Sequence, residues 1–325
     1  MSQVASETAT GPVQPGPAGE EVITGKTPWQ LFWGRFRQDK PAFVGLAFIV
    51  LLIILALLAP VISRDVIHHG PNELFRNMQD DFGLPKGPNS KFFFGADKAS
   101  RDLLVRILYG ARTSLIVALL ATGFAVTVGV TLGIIAGYFG GVIDTVIART
   151  IDIILALPLL LFAIGIVAAC STSKEGCLGG IIKPGLPVVI FVIGLFSWPY
   201  IARIVRGNTL SIREKEFIDA SRSLGAGNAR IMLREVLPNL VAPIIVYTTL
   251  IIPNNIVFEA ALSFLGLGVP QTTPSWGRML AEAAPIFDFA WWMMLFPGLF
   301  LFMTTLAFNL VGDGLRDALD PRTGR

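Results

Sequence analysis

A run of 21 residues without a charge, AFVGLAFIVLLIILALLAPVI, occupies residues 42–62 of the chain. A helix needs about 20 consecutive apolar residues to cross the hydrocarbon core of a bilayer, so this run is long enough to span a membrane. In the whole chain only 15% of residues are charged, whereas about a quarter are charged in soluble domains. The sequence therefore predicts an integral membrane protein.

Five further apolar runs follow the first. Each is of spanning length or close to it, and they lie at residues 114–137, 151–169, 187–205, 237–258 and 289–311. Together the six runs predict an all-α membrane fold with about six transmembrane helices in one transmembrane domain, residues 29–325. An even number of spans places both chain termini on the same side of the membrane.

The distribution of Lys and Arg predicts which side that is. Basic residues precede the first run, seven lie between Arg203 and Arg234, and more follow the last run. The positive-inside rule assigns these three regions, and both termini, to the cytoplasm. The segment from Arg64 to Arg112 carries eight basic residues, but it is long and mixed with acids, so it has less weight. Residues 1–28, rich in Pro, Gly, Ser, Thr and Glu, are expected to form a disordered cytoplasmic tail.

Two cysteines, Cys170 and Cys177, fall in the same predicted outer loop. A disulfide fits an oxidising compartment, and two free thiols fit the sequence nearly as well. The pair has no His or acidic residue beside it that would make a metal site, so no metal is expected. Further along, Arg149 and Asp152 are three residues apart, a spacing that predicts an ion pair along one helix at its cytoplasmic end.

The segment between the fourth and fifth runs is charged and broken by glycine. Ser211 followed by Glu214 fits a capping box, which predicts a short helix that ends at Gly225. Asn228 is then expected to cap a second short helix. The charges forbid burial in the bilayer, so residues 211–237 are predicted to lie on the cytoplasmic surface. An ordinary solvated connection and a contact surface for a soluble partner both fit this pattern.

Four segments of the sequence resemble one family. Asp219-Ala220-Ser221, followed by Gly225 and by Leu237-Pro238, resembles the cytoplasmic loop of ABC importer permeases, although Asp and Ser stand where Glu and Ala are usual. Three more segments resemble the second transmembrane subunit of dipeptide and oligopeptide permeases: FGADKASRDLLVRILYGARTSL from Phe94, EAALSFLGLGVPQTTPSWGRML from Glu259 and NLVGDGLRDALDPR from Asn309. The resemblance covers the chain from about Trp29 to its end.

The resemblance implies a type I ABC importer permease fold in the cytoplasmic, or inner, membrane of a bacterium. In that family the permease is a pore subunit that moves di- or oligopeptides, and relatives move nickel complexes or glutathione. Its implied partners are a second homologous permease subunit, two cytoplasmic ATPase subunits and an extracellular or periplasmic substrate-binding protein. ATP and Mg²⁺ would bind to the ATPases, so the resemblance implies neither a cofactor nor catalysis in this chain. A nucleic acid partner is not expected.

The resemblance also implies roles for particular residues. Those expected to dock on an ATPase are Glu216, Asp219, Ala220, Ser221, Leu224 and Gly225, with Arg230 as a candidate charged contact. Polar residues within the apolar runs are candidates for lining the translocation pathway, because polar groups in a membrane are costly unless they face the interior of the bundle or water. They are Ser197, Tyr200, Asn254, Asn255 and Glu259. For the Ser, Tyr and Asn residues, hydrogen bonding between helices is the alternative. For Glu259 the alternative is a position at the membrane interface, near the outer end of its span.

A self-contained proton-coupled carrier is the alternative function. A carrier of that kind is expected to have buried charged networks at mid-span and repeated halves. The six runs are nearly free of charge and show no clear internal repeat. The sequence therefore favours the importer permease.

Overall fold

The computed structural model of the chain describes residues 28–172, 176–270 and 272–319. Residues 1–27 of the predicted disordered tail lie outside these ranges. The described residues form helices and connecting loops, with isolated bridges between Gln79 and Pro85, Ala96 and Asp102, and Cys177 and Ile182.

Eleven α-helices follow one another along the described part of the chain. They are α1 (Pro28–Gln38), α2 (Lys40–Val61), α3 (Leu103–Phe139), α4 (Gly141–Ala156), α5 (Leu159–Thr172), α6 (Leu186–Arg213), α7 (Glu216–Ser223), α8 (Asn228–Ile231), α9 (Leu237–Phe264), α10 (Trp276–Ala283) and α11 (Trp292–Leu319). A π-helical turn, Met232–Val236, joins α8 to α9, and another, Ile62–Ile67, follows α2.

The helical membrane fold predicted from the apolar runs is confirmed. Five helical stretches are long and apolar enough to cross a bilayer: Lys40–Ile67, Leu103–Phe139, Leu186–Arg213, Asn228–Phe264 and Trp292–Leu319. A sixth span results if α4 and α5 are counted together. Several of these helices extend beyond the apolar runs, because charged turns at their ends continue the helix into the flanking polar regions.

The third predicted span, residues 151–169, is not one straight helix. The axes of α4 and α5 differ by 89°, and the break falls between Ala156 and Leu159. Leu157 adopts an extended conformation with φ −73° and ψ 140°. The cause is Pro158, whose ring disfavours the helical conformation of the residue before it and which has no N–H to continue the helix.

Helix α3 packs along α6 through three glycines spaced four residues apart. A Cβ atom added to Gly129, Gly133 or Gly137 would lie 2.8 Å from a backbone carbonyl oxygen of α6, namely that of Trp198, Ala202 or Arg206, respectively. Small residues at this spacing let two helices approach backbone to backbone, which is how helices associate in membranes without a hydrophobic driving force. This contact makes α3 and α6 the central pair of the fold.

The long loop, residues 62–102, folds back over one end of the helices. The indole N–H of Trp292 on α11 donates a hydrogen bond of 3.1 Å to the carbonyl of Ala96. The ring of Phe94 stacks on that of Phe296, with ring centroids 4.1 Å apart. These contacts fix the loop to the start of α11.

A cluster of ion pairs ties the long loop to α3 and α10. Asp97 contacts Arg101 at 2.6 Å and the fully buried Arg106 of α3 at 3.1 Å. Arg101 also contacts Glu282 of α10 at 2.9 Å. Buried charges are tolerated when they are paired, and the shared acids supply those partners here. The sequence gives no local signal for this cluster, because its members are up to 185 residues apart in the chain.

Candidate functional site

The segment that resembles the importer loop lies at the end of α6. It forms α7, a turn and α8, and its predicted docking residues are open to contact. Six of the seven are exposed: Glu216, Asp219, Ala220, Leu224, Gly225 and Arg230, and Ser221 is half-buried. The side chain of Leu224 is the most notable, because the residue is apolar and 88% exposed.

Buried contacts hold this segment against the end of α3. Ile218 of α7 and Ile231 of α8 are fully buried. The hydroxyl of Tyr138 donates a hydrogen bond of 3.0 Å to the side-chain oxygen of Asn228. The guanidinium of Arg222 lies 5.5 Å from the centre of the Tyr138 ring, within cation–π range. A force applied to α7 therefore acts on α3 through packed side chains.

The turn after α7 depends on Gly225. Its φ is +79°, in the left-handed region that favours glycine. The N–H of Ala226 bonds to the carbonyl of Ser221 at 3.0 Å, and the N–H of Gly225 bonds to that of Arg222 at 2.9 Å. These two bonds are those of a Schellman motif, which ends a helix at a glycine. The predicted helix end at Gly225 agrees with this geometry.

The predicted caps of this segment are wrong. Ser211 lies inside α6, and Lys215 precedes α7 without a side-chain cap. Asn228 is the first residue of α8 rather than its cap, which is Gly227. Helix α6 continues to Arg213 because that side chain donates to the carbonyl of Gly137 at 3.3 Å, at the end of α3. This long-range contact is not visible in the local sequence.

A cavity of about 690 Å³ lies between α5, α6 and α9, beside the break between α4 and α5. Four of the five pathway candidates line it: Ser197, Tyr200, Asn254 and Asn255. Among the described residues that line it none is charged, and most are apolar or aromatic. A volume in the range of roughly 300–1,000 Å³ with few polar groups is typical of small-molecule sites.

Hydrogen bonds join three helices behind this cavity. The hydroxyl of Ser197 on α6 donates to the side-chain oxygen of Asn255 on α9 at 2.7 Å. The amide nitrogen of Asn255 donates to the hydroxyl of Thr122 on α3 at 2.8 Å. Asn255 is 2% exposed, so helix-to-helix bonding accounts for most of its polar groups. Tyr200 is 52% exposed, and Asn254 is also exposed, so these two present polar atoms to the cavity.

Glu259 lies apart from the other four candidates. It is fully buried and is not among the residues that line the cavity. Its two carboxyl oxygens accept hydrogen bonds from the hydroxyls of Ser114 on α3, at 2.8 Å, and Ser263 on α9, at 2.7 Å. The geometry is therefore that of a hydrogen-bonded contact between helices, and the full burial of Glu259 does not fit a position at the membrane interface.

The ion pairs that α4 makes differ from the predicted one. Asp152 contacts Arg203 of α6 at 2.8 Å rather than Arg149. Asp144 accepts two hydrogen bonds from Arg206 of α6, one of them at 2.7 Å. The acids point towards α6 because α4 packs on that helix, and a bidentate guanidinium satisfies both oxygens of a carboxylate. These pairs and Arg149 surround a smaller cavity of about 350 Å³.

Cys170 and Cys177 are paired as a disulfide in the structure, with Cα atoms 4.9 Å apart. Residues 173–175 of the loop between them lie outside the described ranges. Across the ranges that the structure describes, no three His, Cys, Asp or Glu side chains are grouped closely enough to hold a metal ion.

Two family descriptions match the chain. Residues 129–325 match "Binding-protein-dependent transport system inner membrane component", and residues 27–85 match "N-terminal TM domain of oligopeptide transport permease C". The first match covers more than half of the chain. Together the two matches include α1, α2, the end of α3 and all the helices after it.

Relatives and solved structures agree with these matches. Two relatives are each 41% identical to the chain over 297 residues, and each alignment covers 91% of this chain and 91% of the relative. They are the glutathione transport system permease proteins GsiD of Escherichia coli O6:K15:H31 and of Shigella boydii serotype 4. Two inward-facing structures of the MetNI methionine ABC transporter share its fold, with TM-scores of 0.53 and 0.55 at 19% and 18% identity. Each covers 67% of this chain, and 96% and 98% of the transporter chain, respectively. The chain belongs to the family of binding-protein-dependent transport system inner membrane components, and it is a multi-pass permease subunit of an ABC importer.

Proposed function

We propose that this chain forms one half of the pore for small peptides and that α7 receives the force that drives their passage. The observation that carries this proposal is the uncharged cavity of about 690 Å³ between α5, α6 and α9. Tyr200 and Asn254 offer a hydroxyl and an amide there, groups that hydrogen-bond to peptide bonds. Apolar walls without charge tolerate many side chains, which suits a cargo class rather than one molecule.

The cargo proposed first is the di- and oligopeptide class, including glutathione, which is itself a small peptide. The GsiD relatives, named as glutathione permeases and 41% identical to this chain, support that choice. The match to the N-terminal domain of oligopeptide transport permease C supports the wider peptide class. A nickel complex is the remaining cargo to test. The self-contained carrier is set aside, since the chain belongs to an importer family.

The partners follow from the same proposal. Two ATPase subunits would hold ATP and Mg²⁺ and press on α7, where Asp219 and Leu224 are exposed. A second permease subunit would close the open side of the cavity, and an external binding protein would deliver the cargo. The charged α7–α8 segment then lies in the cytoplasm together with both termini, in accord with the positive-inside rule.

The test measures uptake of labelled glutathione, a dipeptide, a longer oligopeptide and a nickel chelate. Cells that lack this chain are compared with the same cells after it is restored. We expect restored uptake of at least one peptide. Restoration of the nickel chelate alone would overturn the peptide assignment, and restoration of none of the four would overturn the cargo proposal altogether.

A pair of variants connects the uptake to the cavity. Asn254→Leu removes an amide that faces the cavity and bonds only to its own helix, at the carbonyl of Leu250. Thr131→Val is the matched control, because the Thr131 hydroxyl also bonds to its own helix but lies outside the cavity. At equal amounts in the membrane, Asn254→Leu should change the ratio of uptake between two peptides and Thr131→Val should not.

A further inference from the structure

A third cavity, of about 630 Å³, opens in the long loop, away from the pathway cavity. We call it the basic pocket. Three cationic side chains line it, those of Arg76, Lys86 and Lys91, and its described lining residues include no acid. All three cations are exposed, so their charges are available to a partner.

Packed aromatic rings form the wall of the basic pocket. The rings of Phe75 and Phe92 meet edge to face, with centroids 5.1 Å apart. The imidazole of His69 stacks on Phe92 at 4.7 Å. Phe92 and Met78 are buried, and the backbone N–H of Lys86 bonds to the carbonyl of Met78 at 2.9 Å. The pocket is therefore a folded part of the loop rather than an accidental gap between mobile side chains.

His69 connects the pocket wall to α3. Its Nδ1 atom lies 2.7 Å from the Oδ2 atom of Asp102, which is buried. The other oxygen of Asp102 accepts the N–H of Leu104 at 2.9 Å and so caps the start of α3. Since α3 packs on α6 and reaches α7 at its other end, the pocket and α7 contact the same helix.

The basic pocket and α7 lie at opposite ends of that helix. Helix α3 has 37 residues, and at a rise of about 1.5 Å per residue it is about 55 Å long. In the proposed function α7 faces the cytoplasm. The pocket then faces the outside, where the binding protein arrives.

The charge balance of the long loop favours a protein rather than a membrane surface as the occupant. Residues 62–102 contain six Lys or Arg and six Asp or Glu, so the loop has no excess charge to attract an anionic bilayer. The cations are nevertheless gathered around one pocket, while the acidic Asp80 and Asp81 are exposed outside it. A local cluster within a neutral loop fits a specific acidic group on a protein partner.

We propose that the basic pocket receives an acidic segment of the external binding protein, with carboxylates contacting Arg76 and Lys91. This inference rests on the proposed function, since it needs an external binding protein. It adds a docking site at defined residues. The contact would also act on α3 through His69 and Asp102. Docking of the binding protein would then be transmitted along α3 to the end that contacts α7.

The test uses the whole transporter, with both permeases and both ATPases, in nanodiscs of neutral lipid and, in a parallel series, in nanodiscs that contain anionic lipid. The probe is the binding protein that supports uptake by the wild-type chain. Its affinity is measured by titration for the wild type, for Arg76→Glu and for Lys91→Glu. Lys98→Glu is the matched control, because Lys98 is an exposed cation of the same loop outside the pocket.

We expect each pocket variant to weaken binding about tenfold, as truncated or reversed charge pairs at interfaces do, and to reduce its salt dependence. Lys98→Glu should leave the affinity within about twofold. Unfolding temperature and ATP hydrolysis without the binding protein should be unchanged in all three variants. A Glu→Lys or Asp→Lys change on the binding protein that restores affinity for Arg76→Glu would identify the contact.

Two results would overturn the inference. One is unchanged affinity of the binding protein for both pocket variants while wild-type binding is normal. The other is a loss of affinity in the pocket variants that appears only in nanodiscs with anionic lipid. That result would mean that the pocket binds a lipid headgroup. If the wild-type transporter itself binds no external protein, the proposed function fails as well, so the two failures are distinguishable.

Discussion

Gly133 on α3 lies directly against the carbonyl oxygen of Ala202 on α6, and a Cβ atom added to Gly133 would be 2.8 Å from that oxygen. The same atom would also be 2.8 Å from the Cβ atom of Val205. Neither neighbour is the flexible end of a side chain, so the two helices would have to separate. This contact lies on α3 near its α7 end, between the two surfaces that we assign to partners, the long loop and α7.

Gly133→Val is therefore expected to destabilise the protein by about 1–3 kcal/mol, the usual cost of overpacking a well-packed interior. Thermal unfolding of the purified protein in detergent measures the change. Gly123→Ala is the control on the same helix, because nothing lies within 4 Å of a Cβ atom at that position. Equal unfolding temperatures for Gly133→Val and the wild type would mean that α3 and α6 are not packed as described.

The bidentate pair of Asp144 and Arg206 should contribute more to the free energy of unfolding than the neighbouring pair of Asp152 and Arg203. The first pair is mostly buried, whereas both side chains of the second are more than half exposed. Double-mutant cycles to alanine should give a coupling free energy of about 1–2 kcal/mol for Asp144 with Arg206. The exposed pair should give less than about 1 kcal/mol, since water screens it. The reverse order would contradict the arrangement of α4 on α6.

The sequence predicts the helices better than it predicts their contacts. Charge-free runs of about 20 residues are a local property, and each of the six runs is mostly helical in the structure, although the third is broken between Ala156 and Leu159. The bend at Leu157 and Pro158 is harder to predict, because Pro199 and Pro253 also lie in apolar runs and remain inside helices. Which proline breaks its helix depends on what packs around it.

The candidate sites show the same limit. Four of the polar residues chosen from the apolar runs line one cavity, since polar groups within a membrane bundle tend to face its interior. The partners of Glu259 and of Asp152 could not be predicted, because they lie on other helices. Thr122 was missed, although it too is a polar residue within an apolar run. Helix adjacency is a tertiary property that hydropathy does not contain.

Glu259 is expected to affect stability rather than cargo choice. Glu259→Ala would leave the buried hydroxyls of Ser114 and Ser263 without their acceptor, at a cost of about 1–3 kcal/mol. Glu259→Gln retains a carbonyl acceptor and should cost less. Unfolding temperature is measured alongside the uptake ratio of two peptides. A changed uptake ratio in Glu259→Gln, with unchanged stability, would instead support a role for Glu259 in the translocation pathway.

The disulfide between Cys170 and Cys177 remains a prediction that mass mapping can check. Alkylation without reduction should leave both cysteines unmodified, and the peptide that contains them should gain two alkyl groups only after reduction. The loop lies at the outer end of α5, in the oxidising compartment that the proposed topology gives it. Alkylation of both thiols without reduction would exclude the bridge.

Gly225 provides the sharpest test of α7 as the point where force enters the permease. Gly225→Val places a β-branched residue at φ +79°, which costs roughly 1–2 kcal/mol and would unwind the Schellman turn. The exposed side chain of Leu224 would then be presented at a different angle to an ATPase.

We expect Gly225→Val to reduce peptide uptake severalfold while the transporter still assembles, so that ATP hydrolysis is no longer matched by transport. Uptake and ATP hydrolysis are measured together in reconstituted vesicles. Gly227→Val is the matched control, since Gly227 is two residues away with φ −70°, and nothing lies within 4 Å of its Cβ position. Because both variants add the same side chain to the same exposed turn, a defect confined to Gly225→Val would come from the backbone conformation. Normal uptake in Gly225→Val would remove the basis for assigning α7 as the docking helix.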